Sequence, residues 1–336
     1  MKNMSILKSR EAVLAAIVVG MTLAIGAWIP FFLSPGNLLD VISDSSILAI
    51  LAMGQMVVLL TRGIDISVAS NLALTGMFCA VVGKAFPTLN ALDLVCIALL
   101  FGAILGAING LLITWFDLPP LVVTLGTMAA YRGSIFVLSK GAWMNDQDIH
   151  PMIKGLPRMS FLGLPGLVWF AVATLLLCWW FFSYRRTGRE MYAIGGKASA
   201  AAYIGIPIKR RLLQAYTMSG ALAGLAGLLW VGRYSIAFTE LAAGYEMTVI
   251  AACVIGGVSN AGGRGNVAGA LLGVLFIGVI NVALPVIKIS PFWQQAISGF
   301  VILVAVVLNA RSERNVGKHI LPPKGALGPQ AAAVKN

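Results

Sequence analysis

The chain has 336 residues, of which 59% are hydrophobic and only 11% charged, with a mean hydropathy of +0.90. Soluble domains carry about 25% charged residues, so a water-soluble fold of this size would lack the charge to cover its surface. The net charge of +12 comes without a basic soluble domain, which argues against a nucleic-acid partner and for Lys and Arg held on one side of a membrane.

β-barrel spans alternate over about 10 residues; the apolar runs here are longer and do not alternate. The first twelve residues, MKNMSILKSREA, look like the n-region of a signal peptide. The run that follows, 12–33, is too long for an h-region and has no A-x-A-like site at its end, so it is predicted as the first span. A helix crosses the hydrocarbon core in about 20 residues. Runs of that order are predicted at 12–33, 45–61, 66–83, 92–115, 121–138, 161–183, 212–231, 245–260, 267–287 and 292–309. The expectation is an all-α, polytopic integral membrane protein of about ten transmembrane helices with both termini cytoplasmic. It comprises an N-terminal segment 1–11, a membrane domain 12–310 and a disordered, Pro/Gly/Ala-rich tail 311–336. Runs 66–83 and 245–260 are short and carry Gly or Ser, so each reads either as a full span or as a half-helix.

With both termini inside, 17 of the 24 Lys and Arg fall on the cytoplasmic side, seven of them in 184–211. Lys84, Lys140, Lys154, Arg158, Arg233 and Lys288 fall outside, and Arg132 lies within a span. That asymmetry satisfies the positive-inside rule, and an odd span count would spoil it. Trp28, Trp115, Trp179, Trp180, Trp230 and Trp293 lie near predicted span ends, where indoles prefer to sit. Gly102, Gly106 and Gly110 share a face of the fourth span, and Gly265, Gly269 and Gly273 share one entering the ninth. Such faces permit close helix packing, or a sliding contact. Cys79, Cys96, Cys178 and Cys253 sit in apolar runs with no CxxC pair and read as buried, inert thiols. His150 and His319 are far apart, so no metal site is expected.

The segment 184–211, YRRTGREMYAIGGKASAAAYIGIPIKRR, is basic at both ends and nearly neutral between. The flanks suit anionic headgroups. Within it, 197–205 (KASAAAYIG) has strong helix formers and a Gly stop, with Gly195-Gly196 before it as a bend. This reads either as a plain basic anchor or as a short helix presented to a soluble partner.

The segment resembles the coupling loop of ATP-binding-cassette importer permeases, whose signature is Glu-Ala-Ala, three residues, then Gly. Ala200, Ala201 and Gly205 match, and Ser199 stands where the signature has Glu. TRGIDISVAS (61–70), TLGTMAAYRG (124–133), GREMYAIGG (188–196) and AACVIGGVSNAGGRGNVAGALLG (251–273) are similar to the ribose/arabinose/rhamnose/autoinducer-type sugar branch of the branched-chain amino-acid/sugar permease superfamily. Ala69 replaces a usual Gly. The likeness runs over about 12–310. It implies a permease subunit that translocates a monosaccharide or sugar-like molecule delivered by a periplasmic binding protein. It further implies a second permease subunit (the same or a related chain) and a separate ATPase subunit carrying ATP and Mg. Gly195, Gly196, Lys197, Ser199, Ala200, Ala201 and Gly205 would then contact the ATPase. The chain has no G-x-x-x-x-G-K-[ST] phosphate cradle, so no cofactor is expected on it and it is not expected to be an enzyme.

Transport of a polar solute requires polar groups within the bundle. Gln55, Asn71, Asn109, Thr124, Thr127, Asn260 and Asn281 are candidates, with interhelical hydrogen bonding as the alternative role. Arg132, at mid-depth in the fifth span, faces the path, pairs with an external acid, or snorkels. Asp65 and Arg62 form either a local pair with helix capping or a gate at the inner mouth. The charged outer loops 139–160 and 232–246 are expected to meet the binding protein. An ion-coupled secondary transporter is the alternative function, but it would want acids at mid-span, and none is predicted there. A membrane enzyme would need a nucleophile, base or metal cluster. A passive channel would conduct without nucleotide.

Overall fold

The computed structural model describes residues 10–286 and, beyond them, only positions 293, 296, 299, 300 and 303. The helices are α1 (Arg10–Trp28), α2 (Pro35–Leu60), α3 (Val68–Ala85), α4 (Ala91–Trp115), α5 (Pro120–Ser139), α6 (Pro151–Arg158), α7 (Gly166–Tyr184), α8 (Arg186–Gly196), α9 (Ala198–Tyr203), α10 (Ile208–Tyr234), α11 (Tyr245–Ile255) and α12 (Val267–Val286). A two-residue antiparallel pair, Ser160–Phe161 with Leu164–Pro165, interrupts them.

Among the described residues, eight helices, α1 to α5, α7, α10 and α12, are long and apolar enough to cross a membrane. Run 66–83 is realised as the 18-residue α3. Run 245–260 is not a full helix: α11 has 11 residues, about 16 Å at 1.5 Å per residue, and 256–266 continue as turns. The predicted tenth span 292–309, apart from the isolated positions above, lies outside the described residues. So do residues 1–9 and the tail 311–336.

Local chemistry explains most shifted boundaries. α2 starts ten residues before its predicted run because Ser34 Oγ accepts from the Asn37 N–H (3.4 Å) and Pro35 occupies the first helical position. α1 ends at Trp28, and Pro30 opens a single 3-10 turn. α7 starts at Gly166 rather than 161 because Leu162 and Gly163, both at positive φ, turn the small hairpin. α4 opens with a capping box in which the Asn90 side chain accepts from Leu92 and Asp93 while Asp93 accepts from Asn90 N–H.

The bundle is organised around α2 and α10. α2 is buried over most of its length and packs against α7, α10, α11 and α12; α10 packs against α2, α3, α4 and α6. The α4–α10 crossing is made by the glycines expected on α4. A Cβ at Gly102 would collide with the Gly220 carbonyl, one at Gly106 with the Tyr216 carbonyl, and one at Gly224 with the Ala98 carbonyl. Gly269 and Gly273 meet Gly256 and Ala252 in the same way, whereas Gly265 lies in the turn before α12. These faces are close-packing seams. Cys79, Cys178 and Cys253 are buried, but Cys96 is exposed on the outer side of α4, so the expectation of four buried thiols holds for three.

The charged loops segregate to two ends. At one end, Arg62 reaches residues 195 and 196, Lys209 pairs with Asp117, and Arg10 reaches the Val254 carbonyl. At the other, Lys84 pairs with Asp148, Arg233 lies 3.3 Å from Asp44, and Met144 bridges Ala237. Both sets match the two loop groups expected from the charge pattern. We expect Gly220→Val to destabilise the purified chain in detergent by about 1–3 kcal/mol through overpacking, read as a lower thermal midpoint. Gly126→Ala, at a glycine with no neighbour within 4 Å, should leave the midpoint unchanged or raise it, since Ala is the better helix former.

Candidate functional site

The basic end is built around α8 and α9. Lys197 is extended (φ −155°, ψ 99°) and breaks the segment into two helices. The break therefore falls one residue after the glycine pair expected to bend it. Gly195 is needed for approach instead, since a Cβ there would strike the Leu60 carbonyl. α9 stops at Gly205, whose φ of +77° suits glycine. The Gly205 and Ile206 N–H groups bond back to the Ala202 and Ala201 carbonyls at 3.0 and 3.1 Å.

This connector is tied to the membrane helices by hydrogen bonds. Arg62 donates from Nε to the Gly195 carbonyl (2.7 Å) and from Nη2 to the Gly196 carbonyl (2.9 Å). It thereby caps the carbonyl end of α8, where a cation is favoured. Gly263 N–H donates to the Leu60 carbonyl at 3.0 Å, and Tyr192 donates to the Gly265 carbonyl at 2.8 Å. Glu190 is buried and accepts from both Arg211 and Arg186. Its burial pushes the carboxyl pKa up, but the two guanidinium groups outweigh that and hold it below the usual glutamate range. The Glu190 ion pairs are therefore complete at neutral pH and are lost only as pH falls through that lowered value, while the Arg62 and Tyr192 bonds do not depend on it.

Lys197, Ser199, Ala200 and Gly205 are exposed, while Ala201 is buried against the bundle. The apolar tip of the connector is Tyr203 (91% exposed) with Ile204 (74%). Sequence reasoning passed over this pair. The available signal was an aromatic–aliphatic pair just before the Gly stop of a polar loop.

Arg62 and Asp65 do not pair. Asp65 is buried and accepts from the Ser67 N–H (3.0 Å) and hydroxyl (2.6 Å), with the Ser219 hydroxyl at 3.3 Å. The 61–67 turn folds back into the bundle. Gln55, five residues before the end of α2, places its amide nitrogen 3.0 Å from the Asp65 carbonyl and its oxygen 3.3 Å from the Asp65 N–H, in the orientation that satisfies both groups. The Thr124 hydroxyl lies between the Pro120 carbonyl of its own helix (3.0 Å) and the Ile64 carbonyl of the turn (3.2 Å). Asn109 donates to the Ser67 hydroxyl at 2.8 Å and Asn71 to the Gly102 carbonyl at 3.2 Å. Thr127 bonds within its own helix, to the Val123 carbonyl at 3.1 Å. These five candidate path residues are all buried and bonded inside this chain. Asn260 is exposed in the turn after α11, and Asn281 borders a cavity of about 180 Å³ with Asp44, Ser45 and Tyr245.

Arg132 lies about 18 Å along α5. It donates to the Leu241 carbonyl (2.6 Å) and the Thr239 carbonyl (3.3 Å) of the non-helical stretch between α10 and α11. The Glu246 and Glu240 carboxylates act on it electrostatically. Beside it α5 presents an open face of Val122, Gly126, Ala129, Ala130 and Gly133, and neither glycine meets an atom within 4 Å. Charge at this depth beside an open face is costly against lipid.

In the other end's loops, Asp146 pairs with Lys154 at 3.2 Å, and Arg158 donates to the Ser235 hydroxyl at 2.6 Å. His150 caps α6. Much of the loop charge expected to meet a partner is thus engaged within the chain. No group of His, Cys, Asp and Glu suited to a metal occurs among the described residues.

A helical bundle with close glycine seams, an open face of small residues beside a mid-depth Arg132 and a helical connector projecting an apolar tip has the features of a transport permease. The chain belongs to the family described as branched-chain amino acid transport system / permease component, which matches residues 37–306. It is 34% identical over 304 residues to the autoinducer 2 import system permease protein LsrC of Salmonella typhi, covering 90% of this chain and 86% of that one. The Klebsiella pneumoniae protein of the same name is 34% identical over 315 residues (94% and 90%), and that of Photorhabdus laumondii 33% over 287 residues (85% of each). No solved structure matches. The chain is thus a permease subunit of the sugar-type branch of ATP-binding-cassette importers, a multi-pass protein of the bacterial inner membrane that works with an ATPase and a binding protein.

Removing the Arg62 caps should loosen the connector. We expect Arg62→Ala to raise amide hydrogen exchange across 194–205 about tenfold or more, the worth of charge-assisted hydrogen bonds. Arg62→Lys, a point charge without the fork, should restore little of the protection.

Proposed function

We propose that this chain forms one half of a path for a sugar-like molecule, with its basic end in the cytoplasm and its connector docked on a separate ATPase. The observation that carries this is the connector itself. An apolar tip, Tyr203 and Ile204, stands in water on a short helix, while Arg62, Glu190 and Tyr192 fasten the same segment to the transmembrane helices. An exposed aromatic anchor beside small residues suits a protein partner. The absence of Glu at Ser199 leaves docking to apolar contact. ATP and Mg belong to that partner.

The path side is the open face of α5 with Arg132, Glu240 and Glu246. A polar solute entering a bilayer exchanges water for fixed donors and acceptors, and carboxylates beside a guanidinium offer both. A second permease subunit, the same or a related chain, would close this face. The binding protein docks on the 139–160 and 232–246 loops and delivers the solute. The relatives' names point to autoinducer 2 or a molecule like it as the cargo.

Purification of the tagged chain from native membranes in mild detergent should bring down an ATPase subunit with vanadate-sensitive activity. Tyr203→Asp and Ile204→Asp, both at exposed positions, should abolish that capture. Recovery of the chain alone, with the variants indistinguishable from it, would favour ion-coupled transport. Arg132→Ala should keep the ATPase bound yet lower uptake about tenfold or more, since two charge-assisted bonds are lost. Full uptake in that variant would remove Arg132 from the path.

A further inference from the structure

Between α4, α7 and α10 the bundle has an apolar groove of about 430 Å³, open on one side. Its walls include Leu99 from α4, Phe170, Trp180 and Phe181 from α7, and Met218 and Leu222 from α10. Thr174 also borders it, but its hydroxyl is committed to the Phe170 carbonyl at 2.9 Å. The groove wall is almost wholly apolar, so it suits a hydrocarbon chain far better than a sugar.

From Phe170 to Phe181 the groove runs eleven residues along α7, about 16 Å. That is close to half of the roughly 30 Å hydrocarbon core, the reach of one leaflet's acyl chains. Its basic end is marked by charge. Arg185 lies over the Trp180 ring, 5.3 Å from its centroid, and Trp180 is itself a groove wall. Of the neighbouring cations at this end, Arg186 and Arg211 are engaged by Glu190 and Arg189 by the Ser183 and Tyr184 carbonyls, while Lys197 and Arg210 are exposed but are not groove walls. Arg185 is exposed and has no carboxylate partner among the described residues.

We propose that this groove is a binding site for an anionic phospholipid of the leaflet at the basic end. An acyl chain lies against Phe170, Phe181 and Leu222, and the headgroup phosphate meets the Arg185 guanidinium. The apolar wall gives retention, and Arg185 gives selectivity for an anionic headgroup. A cation held against an indole ring loses less freedom on meeting a phosphate than a free surface side chain would. The site is separate from the α5 face and does not depend on what the protein carries.

The test is native mass spectrometry of the purified full chain after equilibration in mixed micelles with phosphatidylglycerol or phosphatidylcholine. Wild type should retain one phosphatidylglycerol in preference to phosphatidylcholine. Arg185→Gln, at an exposed position, should lower phosphatidylglycerol retention about fivefold, the worth of one Arg near an anionic headgroup, and leave phosphatidylcholine unchanged. Leu222→Trp, which fills the groove, should lower both. Equal retention of the two lipids by all three proteins would overturn the proposal and make the groove ordinary annular surface. Crosslinking of Leu177→Cys to a second copy in native membranes would also overturn it, since protein would then cover the groove.

Discussion

Inside a bilayer every backbone N–H and C=O must be satisfied by the protein, because no water is there to do it. Among the described residues, two of the places where the chain leaves the helical conformation within the bundle are the 61–67 turn and the stretch between α10 and α11. Each has a dedicated set of side chains. The first is held by Gln55 on the backbone of Asp65, by Thr124 on the Ile64 carbonyl, and by Asp65 itself on the Ser67 N–H. The second is held by Arg132 on the Thr239 and Leu241 carbonyls. An unsatisfied backbone group would cost several kcal/mol in hydrocarbon, so these side chains make the broken architecture possible.

The same constraint explains which parts were legible in the sequence. Long apolar runs, the basic asymmetry, the glycine faces and the 197–205 helix all declare themselves through length, charge or composition. The facing of polar residues does not. In a soluble helix the polar side points to water, and periodicity reveals it. In a membrane helix apolar residues lie on every side, so a lone Asn or Thr carries no sign of whether it meets backbone, another helix or a path. Gln55, Asn71, Asn109, Thr124 and Thr127 are all bonded within this chain; interhelical bonding is the role weighed beside transport, and Thr127 instead bonds within its own helix. Asp65, placed at a span border by sequence, is drawn inward because its turn folds back onto Gln55. The Tyr203–Ile204 tip escaped notice because apolar residues in an apolar protein attract no attention until their exposure is seen.

The glycines divide by the same logic. Those of α4 and α10 bring backbones into contact, and a Cβ at any of Gly102, Gly106 or Gly220 would meet the facing helix. Those of α5, Gly126 and Gly133, meet nothing, although glycine in a helix interior costs about 1 kcal/mol relative to alanine. Within one chain that cost has no compensation. It is compensated if another backbone, or a solute needing room, approaches this face. The neighbouring charges Arg132, Glu240 and Glu246 favour the same conclusion, because they need water or protein opposite them rather than lipid.

These elements also link the connector to the proposed path side. Arg62 joins the end of α8 to the end of α2, and two residues on, the Ile64 carbonyl of the 61–67 turn faces the Thr124 hydroxyl of α5 at 3.2 Å. α5 in turn holds the broken stretch through Arg132. A displacement of the connector therefore meets a chain of directional hydrogen bonds leading to mid-depth, with no loose loop between. Packed bundles respond to such displacements by shifting between discrete arrangements rather than by stretching. The close glycine seams of α4 and α10 lie beside this chain and offer smooth backbone surfaces for that shift. On the proposed function, coupling over this distance would rest on a few polar side chains whose local task is to satisfy broken backbone.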